Sequence, residues 1–341
     1  MRAEETRATV TSNDVARRAG VSQSAVSLVF GGKAAGRVGQ QTREAILRAA
    51  RELGYQPNQA ARTLRSRQSR LVALAVPDVT NPYFATALQG AEDAARAQGY
   101  AVMLTSIRDE GDWQRGILDL LSARAVDGVL LFAPPPSNLQ SALRGRTVVV
   151  DATSRVLPAL QLAIAEGTQA AMGHLLALGH RKIAHLAAAV DVETFHLRRA
   201  GYHDALRAAG IPLAPAYEAR APFTIAGARE AARKLLAAPD PPTAILCDSD
   251  MLAVGIYKAA SDLCRTIPRD LSVVSFDDSL IARILAPELT TVAIPTASIG
   301  ARALRLLLAV LEHEAPPAEA IVPLELVVRA STSSPLAMKG A

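Results

Sequence analysis

The sequence predicts an all-α head joined to a two-lobed α/β body built on two doubly wound parallel sheets. Three observations carry this. At 341 residues, half of them apolar and 20% charged, the chain is too long for one ordinary compact unit and too apolar to be disordered. Apolar residues recur at helical spacing through the first fifth of the chain, whereas beyond residue 70 short β-rich runs alternate with longer amphipathic helical ones. The charge divides at the same place: residues 1–70 carry 13 Lys and Arg against 5 Asp and Glu, and the remainder carries 24 against 27.

In the head, Ser12, Asn13 and Asp14 are cap candidates for a helix in which Val15, Ala16 and Ala19 share a face and Gly20 is the stop. Ser22 can cap a second helix through Ala25, Val26 and Val29, and the three residues Gly20, Val21 and Ser22 make a turn of helix-turn-helix length. Residues 31–36 are glycine-rich and read as a loop. From Thr42, Ala45, Ile46, Ala49, Ala50 and Leu53 form the apolar stripe of a third helix ending at Gly54, with Arg43, Arg48, Arg51 and Glu52 opposite. A basic stretch, 58–70, helix-compatible around 60–64, follows Pro57. A basic three-helix head on a slightly acidic body is the electrostatic footprint of a nucleic-acid-binding module.

In the body, strand-like runs at 71–76, 101–107, 129–132 and 147–150 alternate with helical runs at 83–98 and 112–123. A second series begins with strand 160–165 and helix 168–178, then strand 183–187 and helices 194–209 and 226–237. It continues with strand 244–247, helix 251–263 and strand 271–276. Strand 289–294, helix 298–311 and strand 321–328 complete the pattern, which is that of parallel sheets covered by helices on both faces. The tail after Ser331 has no heptad repeat, so a dimer is expected rather than a coiled-coil tetramer.

Several chemistries are disfavoured. Gly31, Gly32 and Lys33 lack the spacing and the preceding strand of a phosphate-binding loop. His174, His180 and His185 come without HExxH or CxxC and read as helix-end or core histidines, so neither a metal nor a cofactor is expected. No GxSxG elbow or paired cysteine and histidine suggests an enzyme. Asp277 and Asp278 end a strand and point opposite ways, which suits one ligand-facing acid and one structural acid. Cys247 and Cys264 form no disulfide framework, the N-terminus lacks an apolar secretion segment, and no apolar run reaches bilayer length. A cytoplasmic, membrane-free protein is expected.

Two readings remain: a ligand-responsive DNA-binding regulator, or a carbohydrate-binding or sugar-processing α/β protein tethered by its head. Motifs favour the first. Residues 14–27, with Val38, Thr42, Arg43, 53–55, Pro57, Asn58 and 61–64, resemble the LacI/GalR family of bacterial transcriptional regulators. The body agrees in order and spacing at 76–78, 81–84, Asp127 with Gly128, 174–183, Arg198 with 200–202, Asp250, 272–278 and 289–292. The resemblance spans about 11–332.

It implies a helix-turn-helix DNA-binding domain over 1–58, a hinge helix and linker over 59–70 and a ligand-binding and dimerisation domain over 71–332, with 333–341 as a tail. The larger domain is similar to periplasmic binding proteins, with one lobe near 71–163 plus 295–318 and the other near 164–294 plus 319–332. A homodimer would place two recognition helices on palindromic operator DNA in the nucleoid. Gln23, Ser24 and Leu28 would then read bases, and Ser22, Ser27 and Asn58 would bind phosphate. The hinge helix with Ala61 and Leu64 would enter the minor groove, Leu64 acting as an apolar wedge. A small-molecule effector, a sugar or related metabolite, would lie between the lobes on Asp277 and Arg198, with Phe84, Asp151, Phe223 and Ser249 at further cleft positions. Asp250 is read as a helix cap and dipole partner. The chain departs from the family at Leu28, where arginine or another polar reader is usual, at Gly31, at Gly39 in place of a serine cap, in a longer 32–37 loop and at Ser249, where asparagine is frequent.

Overall fold

The computed structural model describes residues 10–31, 34–55, 68–107, 113–314 and 321–336, and divides into two compact units, Met1–Ser69 and Arg70–Ala341.

The first unit is a three-helix head. Thr11, one residue ahead of the expected candidates, caps α1 (Ser12–Ala19). Its hydroxyl accepts from the Asp14 amide at 3.4 Å while the Asp14 carboxylate accepts from the Thr11 amide at 2.9 Å. This reciprocal pair satisfies two helix-end donors and assigns Asp14 to the third helical position instead of the cap. Gly20 ends α1 at φ 68°, a left-handed conformation that glycine adopts without a Cβ clash. Ser22 caps α2 (Gln23–Phe30), its Oγ accepting from the Ala25 amide at 3.2 Å. The third helix, α3 (Gln40–Leu53), begins two residues before Thr42 because the extended Gly39 serves as its cap without a side-chain bond. Val15, Ala16, Val26, Ile46, Ala49 and Ala50 form the core, and Phe30 packs edge-on against Tyr55 at 5.3 Å. Burying a valine or isoleucine side chain such as these is worth about 1.5–3 kcal/mol.

The first lobe of the body runs β1 (Leu71–Val76), α4 (Pro82–Ala97), β2 (Ala101–Ser106), α5 (Trp113–Ser122), β3 (Gly128–Leu131), α6 (Ser137–Leu143), β4 (Thr147–Val150) and β5 (Ala159–Leu160). The second runs α7 (Ile164–Ala177), β6 (Ile183–Ala188), α8 (Glu193–Ala208), a 3₁₀ turn (Pro215–Tyr217), β7 (Glu218–Ala221), α9 (Ile225–Leu236), β8 (Ala244–Cys247), α10 (Asp250–Asp262), β9 (Ser272–Asp277), α11 (Leu280–Ile284) and β10 (Thr290–Ala293). The chain then returns to the first lobe with α12 (Thr296–Leu311) and ends in the second with β11 (Glu325–Val327).

The first sheet is parallel, in the order β2-β1-β3-β4-β5; the second has the order β11-β10-β9-β8-β6-β7. Strand β1 shows why both faces are covered. Val72, Leu74 and Val76 pack with α4 and α12, while Ala73 and Ala75 pack with α5 and α6, as the twofold alternation of a strand requires. In the second lobe α9 and α10 cover one face, and Met172 and Leu175 of α7 with Tyr202 and Leu206 of α8 cover the other.

Some expected boundaries shift. The strand expected at 160–165 is only Ala159–Leu160, and α7 starts at Ile164, whose buried side chain packs into the first lobe as the chain crosses over. The strand expected at 321–328 shrinks to β11, which pairs antiparallel with β10 and places one antiparallel edge on an otherwise parallel sheet. The short elements β7, α6 and α11 are additional, each too brief for a hydrophobic period to mark it. No helix of the described residues is long and apolar enough to cross a membrane.

Candidate functional site

A cleft of about 850 Å³, counting the part open to solvent, lies between the two lobes at the carboxyl ends of their strands. Phe84, Asp151, Arg198, Phe223, Ser249 and Asp277, drawn from segments up to 193 residues apart in sequence, all line it. Asp151 follows β4 at φ 56° and Asp277 ends β9 at φ 115°; both are left-handed conformations, strained for residues with a Cβ, that turn a carboxyl off the strand into the cleft.

Each group is held. Ser249 caps α10 and donates its hydroxyl to Asp277 Oδ2 at 2.7 Å. Arg198, on α8 and 3% exposed, gives one Nη to the Asp248 carbonyl and the other to Thr194 Oγ1 at 3.4 Å. Its guanidinium lies 4.3 Å over the Phe276 ring and 5.1 Å from that of Phe195. Asp248 is anchored in turn by His185 Nε2 at 2.9 Å and the Ala188 amide at 2.8 Å, and His185 stacks on Tyr202. Aromatic rings supply the apolar surface: Phe84 and Phe132 meet edge to face at 5.5 Å on one side, and Phe195 and Phe223 stack at 6.1 Å on the other.

Burial pushes the Asp151 carboxyl up to about 7, against the pull of Arg198 and a hydrogen bond from Thr194. Asp277 is pushed up to about 7 by burial and by the neighbouring Asp250 carboxylate, again opposed by Arg198. Burial also keeps the Tyr83 phenol protonated well above its usual range. Two buried donors in this cleft, the Tyr83 hydroxyl and Arg198 Nε, have no protein partner. Buried polar groups are normally satisfied, so donors left open beside two carboxyls and aromatic walls are what a small polar ligand would complete.

The structure separates the two adjacent acids as expected: Asp278 turns away to Arg329, with Arg283 at 3.5 Å. Asp250 corrects half of the sequence reading: Ser249 is the cap, while Asp250 keeps the place of an acid in the helix's first turn. Asp250 is the first helical residue, fully buried, and accepts from Ser275 Oγ at 2.5 Å, Thr291 Oγ1 at 3.0 Å, and the Ser279 amide and hydroxyl at 2.7 and 2.8 Å. It ties α10 to β9, β10 and the cap of α11. Sequence reasoning missed Tyr83, Phe132, Thr194, Phe195 and Asp248. Four of them, all but Phe132, adjoin or sit one turn from residues it named, and a scan of helix starts and strand ends facing the cleft would have found them. The three histidines are apart: His174 pairs with Thr332 and His180 with Thr243 and Ser272, while His185 holds Asp248. Among the described residues no cluster has the makings of a metal site.

In the head, Ser22, Gln23 and Ser24 are exposed along the first turn of α2, and Ser27 and Leu28 are half-buried one turn on. The Gln23 amide donates to Ser12 Oγ at 3.2 Å and Ser27 Oγ at 3.3 Å, which orients it on the outer face while Val26 faces the core. Arg43, Arg48 and Arg51 are exposed on α3; Arg17 and Arg18 pair with Asp14 and Glu52 at 3.5 and 2.6 Å. Asn58, Ala61 and Leu64, with most of the expected hinge, lie outside the described residues.

Residues 11–58 match bacterial regulatory proteins of the lacI family, and 172–332 match a periplasmic binding protein-like domain. The HTH-type transcriptional repressor CytR of Escherichia coli (strain K12) is 31% identical over 97% of this chain and 99% of its own length. A solved Lac repressor dimer bound to operator and the anti-inducer ONPF is similar at TM-score 0.87 and 26% identity, covering 96% of this chain and all of that one. A CelR–cellobiose complex is similar at TM-score 0.69 and 29% identity, covering 94% and 99%.

Proposed function

Because this chain belongs to the lacI family of bacterial regulatory proteins, we propose that it is a sequence-specific transcriptional repressor that binds a palindromic operator as a homodimer and is controlled by a sugar or related metabolite in the inter-lobe cleft. The observation that carries the reading is the presence, in one chain, of a capped helix-turn-helix with exposed Ser22, Gln23 and Ser24 and a two-lobed cleft with open buried donors.

In this reading α2 enters the major groove. Gln23 can pair bidentately with adenine, Ser24 can donate or accept, and Leu28 offers an apolar contact to a thymine methyl. Ser22 and Ser27, with the free amides at the start of α2 and with Asn58, hold phosphate. Ala61 and Leu64 enter the minor groove, where Leu64 unstacks a base step and bends the duplex. The role of the cleft is binding: Asp277 and Asp151 take ligand hydroxyls, Arg198 and Tyr83 donate, Ser249 positions Asp277, and Phe84 and Phe223 cover apolar ring faces. The protein acts in the cytoplasm without a catalytic step.

A gel shift of the full-length protein on the promoter of its own gene, with and without candidate sugars, tests the reading. A retarded complex that a sugar weakens or strengthens is expected. A chain that binds sugar but no promoter DNA at low salt would establish the tethered binding protein instead.

A further inference from the structure

The cleft carries an unusual charge balance for a site that must hold a metabolite. Among the described residues four acidic residues line it with carboxyls not turned onto the second lobe's core, Asp78, Asp151, Glu193 and Asp277, against one cation, Arg198; the carboxylate of the fifth, Asp248, is taken up by His185 and the Ala188 amide. That cation is partly committed: each Nη donates one of its two N–H groups to a protein oxygen and its face is stacked on Phe276, while Nε has no protein partner. Helix starts are the usual alternative receptors for anions, and each of those at this cleft already has a side-chain oxygen at its cap or in its first turn. Asn81 caps α4 by accepting from the Tyr83 amide, Ser249 caps α10 by accepting from the Met251 amide, and Glu193 places its own carboxylate in the first turn of α8.

The clasp at the cleft edge adds to the negative wall. Both donors of Thr153 are spent on Glu193, so that carboxylate is fixed beside Asp151. A phosphate or carboxylate entering here would meet a carboxyl-rich wall with a single, partly committed guanidinium to receive it.

Building on the effector reading above, we infer that the cleft takes an uncharged, hydroxyl-bearing ring compound, a free sugar, and rejects its phosphorylated or carboxylated counterpart. A hydroxyl both donates and accepts, which matches a site offering open donors, Tyr83 Oη and Arg198 Nε, next to open acceptors on Asp151 and Asp277. The raised affinity of those two carboxyls for protons fits the same partner, since each can present either a donor or an acceptor near neutrality. The aromatic walls take the apolar face of the ring.

The test uses matched pairs on the full-length protein at neutral pH: D-ribose with ribose 5-phosphate, D-glucose with glucose 6-phosphate, and cellobiose with cellobionic acid. Melting temperature screens the pairs and calorimetry compares the affinities of any pair that responds. At least one neutral member is expected to bind, with its charged counterpart at least about tenfold weaker. The paired substitution Asp151→Asn with Glu193→Gln, which removes two carboxylates, is expected to narrow that ratio. A charged member binding as tightly as its neutral partner, or silence from every neutral member, overturns the inference. Operator binding is measured in parallel. If the operator is bound and only a phosphate ester or sugar acid responds, this inference fails and the repressor reading stands; if no operator is bound, the repressor reading fails while the ratio of ligand affinities still decides this one.

Discussion

Thr153 and Glu193 join the two lobes across the edge of the cleft, the Thr153 amide and hydroxyl both donating to the Glu193 carboxylate at 2.8 and 2.7 Å. Thr153 lies two residues beyond Asp151, and Glu193 opens α8, the helix that carries Thr194 and Arg198. The same two segments therefore supply the lobe-to-lobe contact and three of the cleft's polar groups. Separating the lobes at this edge would therefore break the clasp and part Asp151 from Arg198 together.

Glu193→Ala should separate these two aspects. The contact is solvent-exposed, so its loss is expected to cost under about 1 kcal/mol of folding stability in a denaturant titration. Effector affinity is expected to fall several-fold, because the ligand must then supply the closure free energy that the clasp contributes. Calorimetry on the variant and the wild type checks this, and an unchanged affinity would separate the clasp from closure.

The two raised carboxyls give a pH signature with a definite sign. Asp151 and Asp277 hold their protons up to about 7 in the fold but release them near 3.8 when unfolded, so the native state binds more protons between those values. They weaken the fold fully above pH 7, and that penalty fades as the pH falls toward 4. The double variant Asp151→Asn, Asp277→Asn should therefore melt above the wild type at pH 8, by a few degrees for a unit of this size, and the difference should shrink steadily toward pH 5. Taking the difference cancels His174 and His180, whose pKa values are lowered by burial and which favour the opposite trend below their unfolded values. A constant difference across the range would show that these carboxyls do not titrate near neutrality.

The head was legible in the sequence because its signals are local: a capping serine, a glycine stop and an apolar stripe each lie within one or two turns. The single misplaced cap, Thr11, turned on Asp14, whose type suits either a cap or the third position of a capping box. The alternating body was readable for the same reason, and its antiparallel β11 was not, since strand direction is set by where α12 delivers the chain and not by its own residues. In the cleft, Asp277 and Arg198 were found through motif resemblance. The partnerless state of Tyr83 and the burial that raises Asp151 arise from lobe packing, and no local pattern encodes them. Asp250 misled because a carboxylate at a helix start ordinarily serves that helix, whereas here it bonds to three other segments.

The helix pair α4 and α12 offers a severe packing test. A Cβ on Gly90 would lie 1.9 Å from the Ala297 carbonyl oxygen, and one on Gly300 would lie 1.9 Å from that of Ala87. Both obstacles are backbone, so the helices would have to move apart along a contact that buries Ala87, Ala91, Ile299 and Ala303. Gly90→Ala or Gly300→Ala is expected to cost about 3 kcal/mol or more in a denaturant titration, although alanine is the better helix former by about 1 kcal/mol. Gly173, on α7 with open space around its missing Cβ, is the control: Gly173→Ala should be neutral or stabilising. Equal effects at the three positions would mean that helix propensity and not packing governs them.

The last prediction concerns how the operator is read. Leu28 lies on α2, half-buried, one turn beyond Ser24 on the outer side of the helix, while the head core is carried by Val26 and the residues packed on it. Arginine and leucine have nearly equal helix propensity, so Leu28→Arg should leave the fold of the head unchanged. What changes is the chemistry offered to the groove. Leucine can only touch a thymine methyl, whereas a guanidinium can donate twice to guanine O6 and N7. The preferred operator should therefore gain guanine at one position in each half-site, by roughly 1–3 kcal/mol per half-site for a well-placed pair. The added charge should also steepen the salt dependence on every sequence, by a slope of about one for each phosphate that the new arginine contacts instead of a base. A binding selection on randomised palindromes, run for both proteins at two salt concentrations, distinguishes the outcomes. A new guanine with little change in slope places residue 28 over base edges. A steeper slope with the preferred sequence unchanged places it over the phosphate backbone and removes Leu28 from the set of base readers.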